Sequence, residues 1–170
     1  MGAIAGAMAE TGQLAYIADY PIFGTIANIN AFALGAKMVN PRAQIYLEWS
    51  TLKDVDLGIA MDNVIKKGVT VVSGQDMVIP EDASRYFGLY HIEKEGPRNL
   101  AMPLWHWGKF YEQLIRTIMD GTWKYDDNKD ETKAINYWWG LSAEVIDVIY
   151  SQNLPIGTQT VSYTHQTLPT

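Results

Sequence analysis

The alternation of apolar and polar positions over the first 72 residues predicts a regular succession of strands and helices. Three short apolar runs, at residues 14–18, 45–49 and 69–72, have the length of buried strands. Between these runs the apolar residues recur every three or four positions. This spacing predicts one helix over about residues 22–38 and another that begins near residue 57 and stops at Gly68. The order predicts two right-handed βαβ crossovers and a parallel sheet.

The remaining segments carry weaker or more local patterns. Residues 3–10 are Ala-rich and predict a helix, and residues 87–92 and 100–104 are strand candidates. A strong helix is predicted around residues 110–118, and a short last helix over residues 144–150. Residues 125–133 form a charged stretch that predicts a loop. Within the helix over residues 22–38, the residues predicted to face the core are Ile22, Ile26, Ile29 and Ala33.

Composition narrows the function more by exclusion than by a positive signal. The formal net charge is −6 and Lys and Arg are not clustered, which argues against nucleic acid as a partner. The chain has no cysteine, so disulfides and thiolate metal sites are excluded. His91 and His106 do not sit at a helical metal-ligand spacing, and no dinucleotide or phosphate loop is present. We therefore expect neither a metal nor a cofactor, and no enzymatic activity.

Loops that leave the carboxyl ends of parallel strands form the ligand crevice in sheets of this kind. Three such loops are predicted, at residues 19–23, 49–51 and 73–76, and each carries an aromatic ring or a polar group. This mixture suits an uncharged, polar, ring-containing small molecule. The candidate ligand-binding residues in these loops are Asp19, Tyr20, Phe23, Trp49, Gln75 and Asp76.

A second aromatic segment lies at residues 104–111, where a strand is predicted to become a helix. Rings at positions i and i+2 point the same way from an extended chain, so Trp105 and Trp107 are candidates to flank one flat ligand. The alternative, that they pack the helix onto the sheet, stays open at this point. For residues 137–140, which hold two further tryptophans, packing is the favoured interpretation. Gly2 and Gly6 are interpreted as a chance spacing.

Six segments resemble the basic membrane lipoprotein family of solute-binding proteins, which serve ABC importers. They occur in family order and lie at residues 14–24, 29–36, 39–41, 105–108, 120–124 and 137–141. The resemblance implies a type I periplasmic-binding-protein fold of class α/β, with two lobes around a cleft. It also implies an exported, lipid-anchored protein that delivers its ligand to an ABC permease, with membrane contact only through that anchor.

The resemblance further implies how the chain is divided. Residues 1–12 correspond to the end of a first-lobe connecting helix and residues 13–104 to the βαβ core of the second lobe. Residues 105–157 correspond to a helix and hinge-crossing segments. Most of the first lobe is expected to be missing from the chain. Separately from the resemblance, residues 158–170 have neither a period nor a core pattern and are expected to be a non-native tail. His91 and Trp105 stand where nucleoside-binding members carry an acidic residue and a lysine, so both are candidate ligand residues and a related ring compound is expected.

A second functional class remains open at the level of sequence. A cytoplasmic regulator or an enzyme can be built on a similar α/β sheet. A signal peptide with a lipidated cysteine, in a reading frame next to permease and ATPase genes, would favour the transport receptor.

Overall fold

The computed structural model describes residues 1–74, 88–122 and 139–160 of the chain. The elements follow one another in the order α1 (Gly2–Met8), β1 (Gln13–Ala18), α2 (Phe23–Val39), β2 (Gln44–Trp49), α3 (Leu57–Lys66), β3 (Val71–Ser73), β4 (Leu89–Glu93), β5 (Gly96–Trp105), α4 (Trp107–Met119) and β6 (Ile146–Tyr150). A short 3-10 helix, Leu141–Ala143, precedes β6, and residues 156–160 are helical.

The strands form a mixed sheet in the order β2-β1-β3-β4-β5-β6. The predicted α/β class is confirmed, and β1 pairs in parallel with both β2 and β3, with Leu14 opposite Ile45 on one side and Val71 on the other. The sheet is not parallel throughout, because β4 pairs antiparallel with β3 and with β5. Only Lys94 and Glu95 connect β4 to β5, and a connection of two residues allows a hairpin but no parallel crossover.

The helices cover both faces of the parallel part of the sheet, as expected for βαβ units. On one face, Phe32 and Ala36 of α2 join Leu14 and Tyr16 of β1 in a buried cluster to which α1 also contributes. On the other face, the buried residues of α3 pack with Ala15 and Ile17. Strand β1 is therefore buried on both sides, which explains its continuous apolar sequence.

Helix α1 packs closely on α2 through its two glycines. A Cβ atom on Gly6 would lie 2.6 Å from the carbonyl oxygen of Ala36, and a Cβ on Gly2 would overlap the carbonyl oxygen of Phe32. Neither position can carry a side chain unless the two helices separate. The interpretation of Gly2 and Gly6 as a chance spacing is therefore wrong, because both residues allow the helix backbones to approach.

Two sequence predictions differ from the structure. They concern the buried face of α2 and the type of the element at residues 144–150. Helix α2 buries Phe32 and Ala36, and Ile29 packs against the same cluster as predicted. Ile22 and Ile26 are 63% and 40% exposed, so the predicted core face is wrong at these two positions. The helix is apolar around most of its circumference, and its periodicity therefore does not select one face. The predicted last helix is also wrong, since Ile146–Tyr150 is a strand in which alternate residues are half-buried.

The chain divides into two compact units, which are Met1–Pro103 with Val148–Thr170, and Leu104–Asp147. The first unit contains the parallel strands and the second contains α4. The predicted charged loop at residues 125–133 lies outside the described residues, as does most of the predicted non-native tail. None of the helices in the described part of the chain has the length and apolar character needed to span a bilayer.

Candidate functional site

The order of the first three strands reverses at β1. The connection through α2 leads from β1 to β2 on one side, and the connection through α3 leads from β2 to β3 on the other side of β1. Because α2 follows β1 and α3 follows β2 on opposite faces of the sheet, the loops at the carboxyl ends of β1 and β2 lead to opposite faces. Such a switch point is the usual position of a ligand crevice in open α/β sheets.

Asp19 follows β1 directly at this switch point and is half-buried. Its Oδ1 accepts hydrogen bonds from the backbone N–H of Tyr20, at 2.7 Å, and from the hydroxyl of Thr25, at 3.3 Å. Among the described residues, no hydrogen bond is made to its Oδ2. The carboxylate is thus oriented through one oxygen, while the other can accept hydrogen bonds from a ligand.

The loop after β2 is tied to the loop after β1. The backbone N–H of Ser50 donates to the carbonyl of Ala18 over 2.8 Å, and the hydroxyl of Thr51 donates to the carbonyl of Asp19. These bonds hold residues 49–51 and 19–23 together at one edge of the sheet. Trp49 itself is half-buried and packs against the apolar cluster beneath α2, so it contacts the core at this edge of the sheet.

The apolar side chains of the first loop are open to solvent. Phe23 is 90% exposed and Tyr20 is 61% exposed, although both are aromatic. Phe23 is also the first residue of α2, whose N-terminus carries no side-chain cap. Unpaired N–H groups of a helix's first turn and two exposed rings can serve as donors and stacking surfaces for a polar ring compound.

The third predicted loop begins at the same edge but is only partly described. Ser73 is buried opposite Tyr16, and the N–H of Gly74 donates to the carbonyl of Gly88 over 2.7 Å. This bond joins the two residues on either side of positions 75–87. Gln75 and Asp76 belong to that range and lie outside the described residues. The two side chains therefore stay predictions.

His91 is not brought to this edge. The antiparallel register of β4 places His91 opposite Val71, at the amino end of β3, and Leu89 opposite Ser73 at the carboxyl end. The imidazole Nδ1 lies 3.5 Å from an Oε1 of Glu93, whose other oxygen is 2.7 Å from Arg98. His91 thus belongs to a charged cluster on the β4–β5 hairpin, two residues away from the predicted crevice.

The second unit holds its own aromatic group. Trp105 ends β5 and Trp107 begins α4, as predicted, but the two rings stack on each other, with centroids 5.6 Å apart and an interplanar angle of 14°. Phe110 meets Trp107 edge to face at 5.9 Å and Trp139 at 5.5 Å. The hypothesis that the two tryptophans flank one flat ligand is therefore wrong for this arrangement. Packing, the favoured interpretation for Trp139, agrees with its contact.

Four polar groups that were not among the candidate ligand residues belong to these two regions. Thr25 orients Asp19, and Thr51 links the two loops. In the second unit, His106 Nε2 lies 3.5 Å from an oxygen of Asp147. A hydroxyl in the first turn of a helix and a carboxylate 41 residues from its partner carry no sequence pattern that would have indicated them.

Beside these two regions, the described residues offer a hollow on α4 and no cluster that would hold a metal ion. No group of three or more His, Asp or Glu side chains suitable for a metal occurs in the described ranges. A hollow of about 520 Å³ along one side of α4 is lined by Gly108, Tyr111, Glu112, Ile115, Arg116 and Met119. At Glu112, the hydrogen bond from Arg116 and the charges of Lys109 and Arg116 lower the pKa below its ordinary value.

These features define a βαβ sheet with an oriented carboxylate and exposed rings at its switch point. Residues 1–81 match the family described as Bmp, ABC transporter substrate-binding protein PnrA-like. The resemblance to the basic membrane lipoprotein family is thereby confirmed, and the matched range includes β1, β2 and β3.

Two relatives extend the comparison beyond residues 1–81. The chain is 26% identical over 167 residues to a purine-binding protein of Brucella abortus, covering 91% of this chain and 44% of the relative. It is 27% identical over 154 residues to a "putative ABC transporter glucose-binding protein" of Haloferax volcanii, covering 85% of this chain and 37% of the relative. The chain thus spans less than half the length of these relatives.

Proposed function

We propose that this chain is part of an extracytoplasmic solute-binding protein that delivers a small polar ring compound to an ABC importer. The observation that carries the proposal is the position of Asp19. The loop that the family match covers places a half-buried carboxylate, held by Thr25, at the switch point of the sheet. A carboxylate of this kind accepts hydrogen bonds from hydroxyl or amine groups on the edge of a ring.

The proposed ligand is nucleoside-like or a related ring compound. The two relatives are named for a purine and for glucose, so the family match is compatible with both a base and a sugar ring. The proposed contacts in the first unit are stacking on Tyr20 and Phe23 and hydrogen bonding to Asp19. Further candidates in that unit are Trp49, Gln75, Asp76 and His91. In the second unit, Trp105 and Trp107 are proposed as ligand residues by themselves. Of these, His91 has the weakest support, because its register sets it apart from the crevice loops.

The proposed partner is an ABC permease, and the proposed location is outside the cytoplasm. Both follow from the substrate-binding family that residues 1–81 match. A lipid anchor in the full-length protein is part of the proposal and rests on the family resemblance alone. Binding without chemical change to the ligand is proposed for the same reason, since the family and both relatives are described as binding proteins.

Calorimetric titration of the chain with nucleosides, nucleobases and simple sugars tests the proposal. We expect one of these classes to bind and to be recovered chemically unchanged. Asp19→Ala should weaken that binding about tenfold or more, because a hydrogen bond to a charged group contributes about 1.5–3 kcal/mol. Asp19→Asn, which can keep the Thr25 contact, should retain part of the affinity.

Asp62→Ala is the matched control, because Asp62 is an exposed carboxylate on α3. Equal affinities for Asp19→Ala, Asp62→Ala and the unaltered chain would remove Asp19 from the site. Conversion of the ligand during the titration would favour the enzyme class instead.

A further inference from the structure

The stacked tryptophans of the second unit leave no space for a ligand between their rings. A flat ligand between two rings needs two contacts of about 3.5 Å, or about 7 Å between the ring planes. The centroids of Trp105 and Trp107 are only 5.6 Å apart and the rings are nearly parallel, so the space between them is already closed. Any ligand that stacks here must lie on an outer face of the pair.

Trp107 is partly open to solvent, and neighbouring rings fix its orientation. Trp107 is 47% exposed although Trp105 covers one of its faces. Phe110 meets it at an interplanar angle of 81°, and Trp139 in turn meets Phe110 at 61°. A ring that is supported in this way loses little side-chain freedom when a ligand lies on it, which favours stacking on a preformed surface.

Two ion pairs of the same unit join residues next to the tryptophans in sequence to acidic residues near β6. His106 lies between the two tryptophans in sequence and reaches Asp147 at 3.5 Å, with side chains 39% and 61% exposed. Lys109, two residues after Trp107, is 3.7 Å from Glu144. In each pair one side chain can accept a hydrogen bond and the other can donate one. Neighbouring hydroxyl groups of a sugar can bond with both kinds of group.

We infer that the outer face of the Trp105–Trp107 stack takes a pyranose ring, a proposal that rests on the solute-binding function proposed above. A purine presents two flat apolar faces and gains most when both are covered. A pyranose such as glucose has one face of C–H groups, whose partial positive charge suits the negative face of an aromatic ring. Its hydroxyl groups project around the edge, where His106, Asp147, Lys109 and Glu144 can bond with them.

Saturation-transfer NMR on the full chain, with D-glucose, adenosine and adenine as separate probes, tests this inference. We expect the glucose C–H protons to receive the strongest saturation. Trp107→Ala should lower the glucose signal and affinity at least fivefold, and Trp107→Phe, which keeps a smaller ring, should lower them less. Far-UV circular dichroism and the thermal midpoint of each variant show whether the fold is retained.

Two controls separate the stack from other surfaces. Ile115→Ala alters the hollow beside α4 and Leu34→Ala alters an exposed apolar position of α2, and both should leave glucose binding unchanged. Glucose binding that survives Trp107→Ala would overturn the stack as the site, and a Trp107-dependent preference for adenine would overturn the pyranose. No glucose binding at all would also overturn the inference. In each case the solute-binding function is decided separately by the Asp19 titration.

Discussion

Strand β1 and helix α4 are both rich in apolar residues, yet they are packed in opposite ways. Every residue of β1 from Leu14 to Ala18 is buried, because strands flank it on both sides and helices cover both faces. In the described part of the chain no residue of α4 is buried, and Trp107, Tyr111 and Met119 are 47%, 56% and 80% exposed. Periodicity specifies the type of an element, whereas burial depends on which elements pack against it.

The difference in packing between β1 and α4 also bears on ligand binding. The tightly packed unit holds Asp19 and its supporting hydroxyls at the end of β1, so the edge of the site rests on a rigid base. The other unit presents apolar rings and polar pairs at its surface. Exposed apolar residues are common on proteins singly. A run of them along one helix, next to a stacked tryptophan pair, is typical of a binding surface.

The largest expected difference between the two regions lies in the cost of removing an aliphatic side chain. Ile17→Ala should destabilise the chain by about 2–5 kcal/mol, because Ile17 is fully buried and a cavity would remain. Ile115→Ala, at a position that is 54% exposed on α4, should change stability by less than about 0.5 kcal/mol. Urea unfolding followed by circular dichroism measures both. Similar costs at the two positions would show that α4 is packed more tightly than the exposure of Ile115 indicates.

A smaller effect separates two glycines within the first unit. Gly6→Ala should destabilise by about 1–3 kcal/mol, since the new methyl group must separate α1 from the backbone of α2 at Ala36. Gly24→Ala is the matched control, because no atom lies within 4 Å of a Cβ there and alanine favours the helix. We expect Gly24→Ala to be neutral or slightly stabilising in the same urea experiment. A neutral Gly6→Ala would mean that the close contact of α1 and α2 relaxes without cost.

The smallest effect is electrostatic and lies on α4. The hydrogen bond from Arg116, followed by the charges of Lys109 and Arg116, lowers the pKa of Glu112 below its ordinary 4.5. The pair therefore stabilises the fold above that pH, and this contribution is lost as the pH falls through the lowered pKa. Arg116→Met should raise the pKa of Glu112, and Lys109→Met should raise it less. NMR titration of the Glu112 carboxyl measures both shifts, and an unchanged pKa in Arg116→Met would contradict the assigned cause.

Much of the first unit could be predicted from the sequence because its signals are local. Apolar runs and helical spacing specified the order from β1 to β3, and Gly68, with φ of +77°, ends the turn after α3 as predicted. The buried face of α2 could be predicted only in part, at Ile29 but not at Ile22 and Ile26, since a helix that is apolar around most of its circumference has no preferred side. The strand at Ile146–Tyr150 was missed because a short apolar segment suits either element until its neighbours are known.

The candidate site was predictable only in part, for related reasons. Asp19 follows a buried strand, so its position at the edge of the sheet follows from topology. The relative orientation of Trp105 and Trp107 did not follow, because His106 leaves the extended conformation at φ −91° and ψ 72°. The i to i+2 rule holds only along a continuous strand. The position of His91 depended on an antiparallel register that no local pattern specifies.

The central claim, that the loops after β1 and β2 hold the ligand, is tested most directly by amide hydrogen exchange followed by mass spectrometry. The full chain is measured with and without the compound that the calorimetric panel identifies. We predict slower exchange at residues 19–25 and 49–51 in the presence of ligand, and unchanged exchange in residues 62–66 of α3. Unchanged exchange in both loops, or slowing confined to residues 105–111, would contradict the claim.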